Sequence, residues 1–135
     1  MIRDFLIPAL KHEFAGWEIA FGDSPQPIAT FPACQEGVGE VAVCDDVNEV
    51  TIYIGKITHG HFNEYDEALN QEEKEKSITE SVIHFLQALF ADRVLLYTNM
   101  ENGGGGWVML DYKDSPIELS PSCRYFLWSK PYEPR

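Results

Sequence analysis

The 135-residue chain has 22 acidic and 10 basic residues, which give it a formal net charge of −12 at pH 7. Such a charge repels phosphate backbones, so we expect no nucleic-acid binding through a basic surface. The length suits one domain with its own core, and no apolar run is long enough for a signal peptide or a membrane span, so we expect a cytoplasmic protein without a membrane partner.

The first third of the sequence predicts one helix and two short strands. Apolar residues at helical spacing predict a helix over Ile2–Phe14, in which Pro8 must lie near the first turn or at a kink. Alternating residues predict a strand over Trp17–Phe21. The turn-forming sequence GDSPQP separates this strand from a short apolar strand over Ile28–Phe31.

The centre of the sequence predicts a β-hairpin. Two strands, at about Glu40–Cys44 and Val50–Phe62, are joined by the turn-prone sequence DDVN. Side chains alternate between the two faces of a strand, so His59 and His61 should share one face.

One long helix is predicted from Asn70 to about Ala91. Asn70 is a good N-cap, and Glu73 lies three residues later, as in a capping box. The helix has an apolar stripe wide enough to lie on a sheet, formed by Ile78, Val82, Phe85, Leu86, Leu89 and Phe90. We therefore expect Phe85 to belong to the main core.

Three more strands are predicted after the long helix, in the sequences RVLLYTN, WVMLDYK and CRYFLWS. The grouping of helix, strands, helix and strands is typical of an α+β fold. We expect a single domain over residues 1–135, with a mainly antiparallel sheet of about five to seven strands. A short N-terminal helix and the long helix at about residues 70–91 should pack on this sheet.

Most of the negative charge lies in the middle of the chain. From Glu36 to Asp92 there are 13 acidic residues and three lysines, whereas the rest of the sequence has nine acidic and seven basic residues. A negative surface attracts basic proteins and cations, and it also favours solubility. Solubility alone therefore explains this charge, and a basic protein partner or a cation is the alternative.

The sequence has an odd number of cysteines without CxxC spacing, namely Cys34, Cys44 and Cys123. Neither a disulfide framework nor a cysteine zinc site has this pattern. We expect reduced thiols that are buried or half-buried.

The segment KITHGHFNEYD contains a candidate metal site. His59 and His61 would project from one face of a strand, and Asp66 in the following loop could supply a third ligand. A bulge at Gly60 would spoil this geometry, and we do not expect His84 to contribute. We expect no cofactor, and a divalent metal at this site is the one alternative.

The same segment is also a candidate binding surface, because aromatic residues beside hydrogen-bonding groups are typical of interface centres. The residues of this surface are Thr58, His59, His61, Phe62, Asn63, Tyr65, Asp66 and Trp107. We expect the glycine-rich segment Gly103–Gly106 to form a mobile connection tipped by Trp107. It lacks the GK[ST] or GxGxxG pattern of a phosphate-binding loop.

No nucleophile motif such as GxSxG or HExxH is present. The leading hypothesis is a non-catalytic protein-binding module, similar in size and charge alone to toxin-neutralising immunity proteins and secretion chaperones. The alternative is a small metal-dependent or acid/base enzyme that uses His59, His61 and Asp66. A third class, a self-associating small-ligand binder, would be favoured by an apolar cavity beneath the long helix. The sequence does not fix the oligomeric state and is compatible with a homodimer.

Overall fold

The computed structural model describes residues 1–23, 27–46, 48–110 and 119–132. Within these residues, the elements in chain order are α1 (Arg3–Glu13), β1 (Ala20–Phe21), β2 (Ala29–Phe31), β3 (Val41–Asp46), β4 (Glu49–Ile54), β5 (Thr58–Phe62), α2 (Gln71–Phe90), β6 (Val94–Asn99), β7 (Gly105–Met109) and β8 (Cys123–Phe126). The α+β class predicted from the sequence is confirmed, with its short N-terminal helix and one long helix.

The strands form two antiparallel sheets. The first sheet has the order β1-β2-β3-β4-β5, and the second has the order β7-β6-β8. The sequence predicted about five to seven strands in one sheet, whereas the described residues form eight strands in two sheets. Where the two sheets meet, a Cβ added to Gly105 would lie 1.8 Å from the carbonyl oxygen of Ile57, so β7 approaches the first sheet closely only because residue 105 has no side chain.

The helical face of the first sheet forms the core. Val50, Ile52 and Ile54 of β4 have no exposed surface, and Val41 and Val43 of β3 are equally buried. Burying each such side chain contributes about 1.5–3 kcal/mol of hydrophobic free energy. The helix α2 packs on β4 and β5, and α1 packs against α2.

The helix α2 has the start predicted for it. The side chain of Asn70 accepts a hydrogen bond from the Glu73 amide at 2.8 Å, and the Glu73 carboxylate accepts one from the Asn70 amide at 3.0 Å. This capping box satisfies two amides that the helix itself leaves without partners. Phe85 is 3% exposed, so its predicted place in the core is confirmed.

The helix α1 forms over nearly the predicted range, but Pro8 lies in its interior and not in its first turn. Pro8 is exposed, whereas Leu6 and Leu10 are fully buried. The helix therefore carries its proline on the solvent side and its leucines on the side that packs on the core.

The prediction of one continuous strand over Val50–Phe62 is wrong, because a turn at residues 55–57 divides this segment into β4 and β5. Gly55 has a φ of +52°, and a Cβ there would lie 1.7 Å from the carbonyl oxygen of Val38. A residue with a side chain could adopt neither this backbone conformation nor this contact without strain. The turn folds β5 back on β4, so that His59 pairs with Tyr53.

The predicted strand Trp17–Phe21 is shorter in the structure, where β1 contains two residues. Trp17 instead forms part of the turn after α1, and its amide donates to the carbonyl of Phe14 at 3.1 Å. The indole ring packs on Phe90 with 4.4 Å between ring centroids. Trp17 is 39% exposed, so a ring contact with Phe90, and not burial in the core, accompanies the turn that replaces the predicted strand.

Parts of three predicted features lie outside the described residues. They are residues 24–26 of the GDSPQP turn, residue 47 of the DDVN turn and residues 111–113 of the predicted strand WVMLDYK.

Candidate functional site

An open apolar groove of about 460 Å³ lies between α2 and β7. It is lined by Phe62, Glu80, Ser81, His84, Phe85, Trp107 and Met109, and we call it the α2 groove. Its apolar residues are buried or half-buried, whereas Glu80, Ser81 and His84 are exposed. The groove thus has an apolar floor and a polar rim on α2.

Aromatic rings fix the floor of the α2 groove. The ring centroid of Phe85 lies 5.2 Å from that of Phe62 and 4.8 Å from that of Trp107. Edge-to-face and tilted ring pairs at these distances are favourable and restrict ring motion. These contacts therefore hold the rings of the floor in place.

Gly60 makes room for these rings. A Cβ at Gly60 would lie 3.3 Å from both the Phe62 ring and the Trp107 indole nitrogen. The pairing of β5 with β4 runs through Gly60 opposite Ile52 in unbroken register, so no bulge is present there. The absence of a bulge keeps His59 and His61 on one face.

The α2 groove borders an acidic loop. Phe62 lines the groove, and the next residues, Asn63 and Glu64, line a second depression of about 390 Å³ together with Glu67. The Glu64 carboxylate accepts a hydrogen bond from the Ser77 hydroxyl of α2 at 2.7 Å. Carboxylates therefore lie directly beside the apolar floor.

Further carboxylates lie near the N-terminal half of α2. Asp45 and Glu75 line a third depression of about 350 Å³, in which Glu75 is 7% exposed. Burial raises the pKa of the Asp45 carboxyl; the Arg3 charge opposes this rise, and the Asp46 and Glu75 charges add to it. Ionisation of Asp45 in the folded protein is therefore less favourable than in water.

The face of the first sheet that points away from α2, which we call the outer face, carries two exposed histidines. The ring centroids of His59 and His61 are 4.9 Å apart with an interplanar angle of 79°, and the Tyr53 ring lies 5.7 Å from that of His59. Tyr53 is 44% exposed and the His61 side chain 53%. These rings therefore contact solvent and not the core.

His61 is held through one ring nitrogen. Its Nδ1 lies 3.1 Å from the Thr51 hydroxyl and 3.3 Å from Glu49 Oε1. The fully buried Thr51 donates to Asp46 Oδ2 at 2.6 Å. A chain of hydrogen bonds therefore joins three strands at this histidine.

The structure divides the predicted binding surface among three places. His59 and His61 lie on the outer face of β5, whereas Phe62 and Trp107 lie in the α2 groove. The remaining predicted residues are Thr58 at the start of β5, and Asn63, Tyr65 and Asp66 in the loop before α2. The residues expected to form one patch therefore lie in three separate places.

Trp107 does not occupy the tip of a loop, as the sequence predicted. It lies within β7, opposite Leu96, and packs on Phe85. Gly105 and Gly106 are also part of β7, which leaves only Gly103 and Gly104 of the glycine-rich segment outside a strand.

The predicted metal trio is not assembled. Asp66 caps its own turn by accepting the Ala68 amide at 3.0 Å. Among the residues that the structure describes, no group of three or more His, Cys, Asp or Glu side chains is arranged to hold a metal ion. His59 and His61 remain adjacent without Asp66.

Sequence reasoning missed four residues of the groove, namely Glu80, Ser81, His84 and Met109. His84 was considered only as a metal ligand; it stands on the rim with Glu80 and Ser81, and Met109 completes the floor. The three rim residues are the polar neighbours of the apolar stripe of α2. Their position beside β7 depends on tertiary contacts that no local pattern encodes.

No protein-family model matches the sequence. No curated protein and no solved structure matches it either, so function is inferred from the residues of this chain alone. Among the described residues, no helix combines the length and apolar character needed to cross a membrane.

Proposed function

We propose that this chain is a non-catalytic protein-binding module that takes a basic, amphipathic segment of a partner protein into the α2 groove. The observation that carries the proposal is the junction at Phe62–Glu64. On one side of this junction lies an open apolar floor, and on the other side lie carboxylates. An amphipathic segment with apolar anchors and neighbouring lysines or arginines complements both sides.

The floor has the composition of an interface centre. Phe62, Trp107 and Met109 are half-buried, so they keep apolar surface that a partner would cover. Aromatic residues and methionine are enriched at such centres, and large aromatic anchors contribute most of the binding energy. The open shape of the groove favours a chain segment over a small ligand, because small-molecule sites enclose most of their ligand.

The charge favours a basic protein over other partners. A net charge of −12 repels nucleic acid and anionic membrane surfaces. It also opposes a homodimer, since two copies would bring the same negative surfaces together. A cytoplasmic location is part of the proposal, because all three cysteines are free thiols.

Co-purification from a lysate of the source organism tests the proposal. At low ionic strength the protein should retain one basic partner in stoichiometric amount, and this partner should be released as salt screens the charges. Ser81→Arg, which fills the rim of the groove with a positive side chain, should lose the partner. Gln87→Arg adds the same charge to α2 outside the groove lining and should retain it.

The proposal fails if no stoichiometric protein is retained at low salt. It also fails if Ser81→Arg and Gln87→Arg retain the partner equally, because the groove would then play no part in recognition.

The second candidate function is acid/base catalysis at the outer face by His59 and His61. One observation favours it, namely the anchoring of His61 Nδ1 by Thr51 and Glu49, which orients a histidine as general bases are oriented. Asp66, the predicted third member, is engaged in its own turn.

Diethyl pyrocarbonate, which acylates neutral imidazole, separates this candidate from the leading one. A catalytic His61 should react faster than the exposed His12 and His84 of the same protein. Equal rates for all the exposed histidines would remove the candidate.

A further inference from the structure

The histidine pair on the outer face has the arrangement of two ligands for one ion. His59 and His61 alternate along β5, so they project from the same face, and both are exposed. Their ring centroids are 4.9 Å apart. This surface lies on the opposite side of the first sheet from the α2 groove, so it is independent of the proposed protein-binding function.

The hydrogen bonds of Thr51 determine which nitrogen of His61 carries the proton. The Thr51 hydroxyl has one hydrogen, and it donates this hydrogen to the carboxylate of Asp46. Thr51 must therefore accept at its contact with His61, so Nδ1 of His61 donates. In neutral His61 the lone pair then lies on Nε2, on the side of the ring away from Thr51.

This arrangement matches the surroundings of metal-binding histidines. Such a histidine usually donates its second ring N–H to a carboxylate or another acceptor, which fixes the tautomer and orients the ring. His61 has such an acceptor on Nδ1, the Thr51 hydroxyl, and the Glu49 carboxylate lies 3.3 Å from the same nitrogen. Its Nε2 is thereby prepared as a ligand.

The distance between the rings of His59 and His61 would allow both to bind the same metal ion. With metal–nitrogen bonds of about 2.0–2.1 Å, an ion would lie about 3.2 Å from the centroid of each imidazole. Two centroids 4.9 Å apart then give an angle of about 100° at the ion, close to tetrahedral or octahedral values. His59 is exposed, so its ring can turn to direct a nitrogen at the same point.

We propose that His59 and His61 bind one divalent transition-metal ion, of the class of Zn²⁺ or Ni²⁺, with Glu49 and the Thr51–Asp46 pair orienting His61. Water completes the coordination, because the described residues supply no third histidine, cysteine or carboxylate to the pair. The carboxylates of Asp46 and Glu49 add a negative potential that favours a cation at this place.

Calorimetric titration of the untagged protein with Zn²⁺ tests this site. Excess Mg²⁺ in the buffer occupies the carboxylates of the acidic loop, which prefer hard cations, and leaves imidazole ligands available. The parent should bind one Zn²⁺ per chain, and His59→Ala with His61→Ala should abolish this binding. His12→Ala and His84→Ala are matched controls and should bind as the parent does.

Variants of Thr51 show whether its hydrogen bond orients His61 for metal binding or whether the proximity of the two histidines is sufficient. Thr51→Val removes the acceptor for Nδ1 and should weaken Zn²⁺ binding about tenfold, whereas Thr51→Ser keeps the hydroxyl and should restore it. Thermal melting of each variant confirms that it is folded. In ¹⁵N spectra of the metal-free parent, neutral His61 should carry its proton on Nδ1.

The proposal is overturned if the parent binds no Zn²⁺ in the presence of Mg²⁺, or if the double histidine variant binds it as tightly as the parent. A neutral His61 protonated on Nε2 would also contradict it, since the ligand nitrogen would then be blocked.

Discussion

The two faces of β4 and β5 are built from one stretch of chain and differ in almost every property. On the face towards α2, Val50, Ile52 and Ile54 have no exposed surface. On the other face, His59 and His61 are exposed and interact through polar groups and rings. The alternation of side chains along a strand therefore gives one face to the core and leaves exposed polar groups on the other, and changes to one face should leave the other intact.

The largest effect should come from the core side. Phe85→Ala removes the ring that joins Phe62 and Trp107 and leaves a cavity under α2. Such changes typically cost about 3–5 kcal/mol, against a total stability of about 5–15 kcal/mol. We expect a much lower midpoint in urea unfolding or poor solubility, and a variant as stable as the parent would show that α2 does not anchor the core.

The junction of the two sheets should be the next most sensitive place. Gly105→Ala adds a methyl group that would lie 1.8 Å from the Ile57 carbonyl oxygen, so β7 must move away from the first sheet. Overpacking of this kind typically costs about 1–3 kcal/mol. Gly103→Asn is the control. A side chain at residue 103 would enter open space, and asparagine tolerates the positive φ of this residue. This variant should change the urea midpoint less than Gly105→Ala does.

Asp45 is the charged exception on the core-facing side of β3, where it pairs with Val50. Burial raises the pKa of its carboxyl above the ordinary value of 3.8. The folded protein therefore holds the Asp45 proton more tightly than the unfolded chain, and stability is lost as pH rises through the raised pKa. Asp45→Asn should raise the urea midpoint at pH 7, and this gain should shrink as pH falls towards 3.8. A gain that is equal at both pH values would assign the effect to something other than ionisation.

The smallest effect should come from the outer face. His59→Ala combined with His61→Ala removes exposed side chains and should change the free energy of unfolding by no more than about 0.5 kcal/mol. Circular dichroism during urea unfolding, with a chelator present to remove bound metal, measures this. A large loss of stability would break the separation between the two faces.

Local patterns in the sequence predicted the elements with the most regular periodicity. The α2 boundaries, its capping box at Asn70 and the burial of Phe85 follow from helical spacing and from N-cap chemistry. The same alternation rule placed His59 and His61 on one face. These features depend on residues within a few positions of one another.

The features that were missed depend on contacts distant in the chain. The turn at Gly55 forms because this glycine meets the Val38 carbonyl, 17 positions away in the sequence. The α2 groove requires Trp107 to pack on Phe85, and no pattern in either segment specifies this pairing. The hydrogen bonds around His61 likewise come from the register of β4 and β5 after that turn.

The most direct test of the central claim compares two variants with the same net charge. A labelled amphipathic peptide of leucine and lysine serves as the probe, and its anisotropy gives the affinity for each protein at low salt. If the α2 groove directs recognition, Gln87→Arg should bind as the parent does, and Ser81→Arg should bind about tenfold more weakly, a loss of about 1.4 kcal/mol. Equal affinities for the two variants would contradict the account, because net charge alone would then explain the binding.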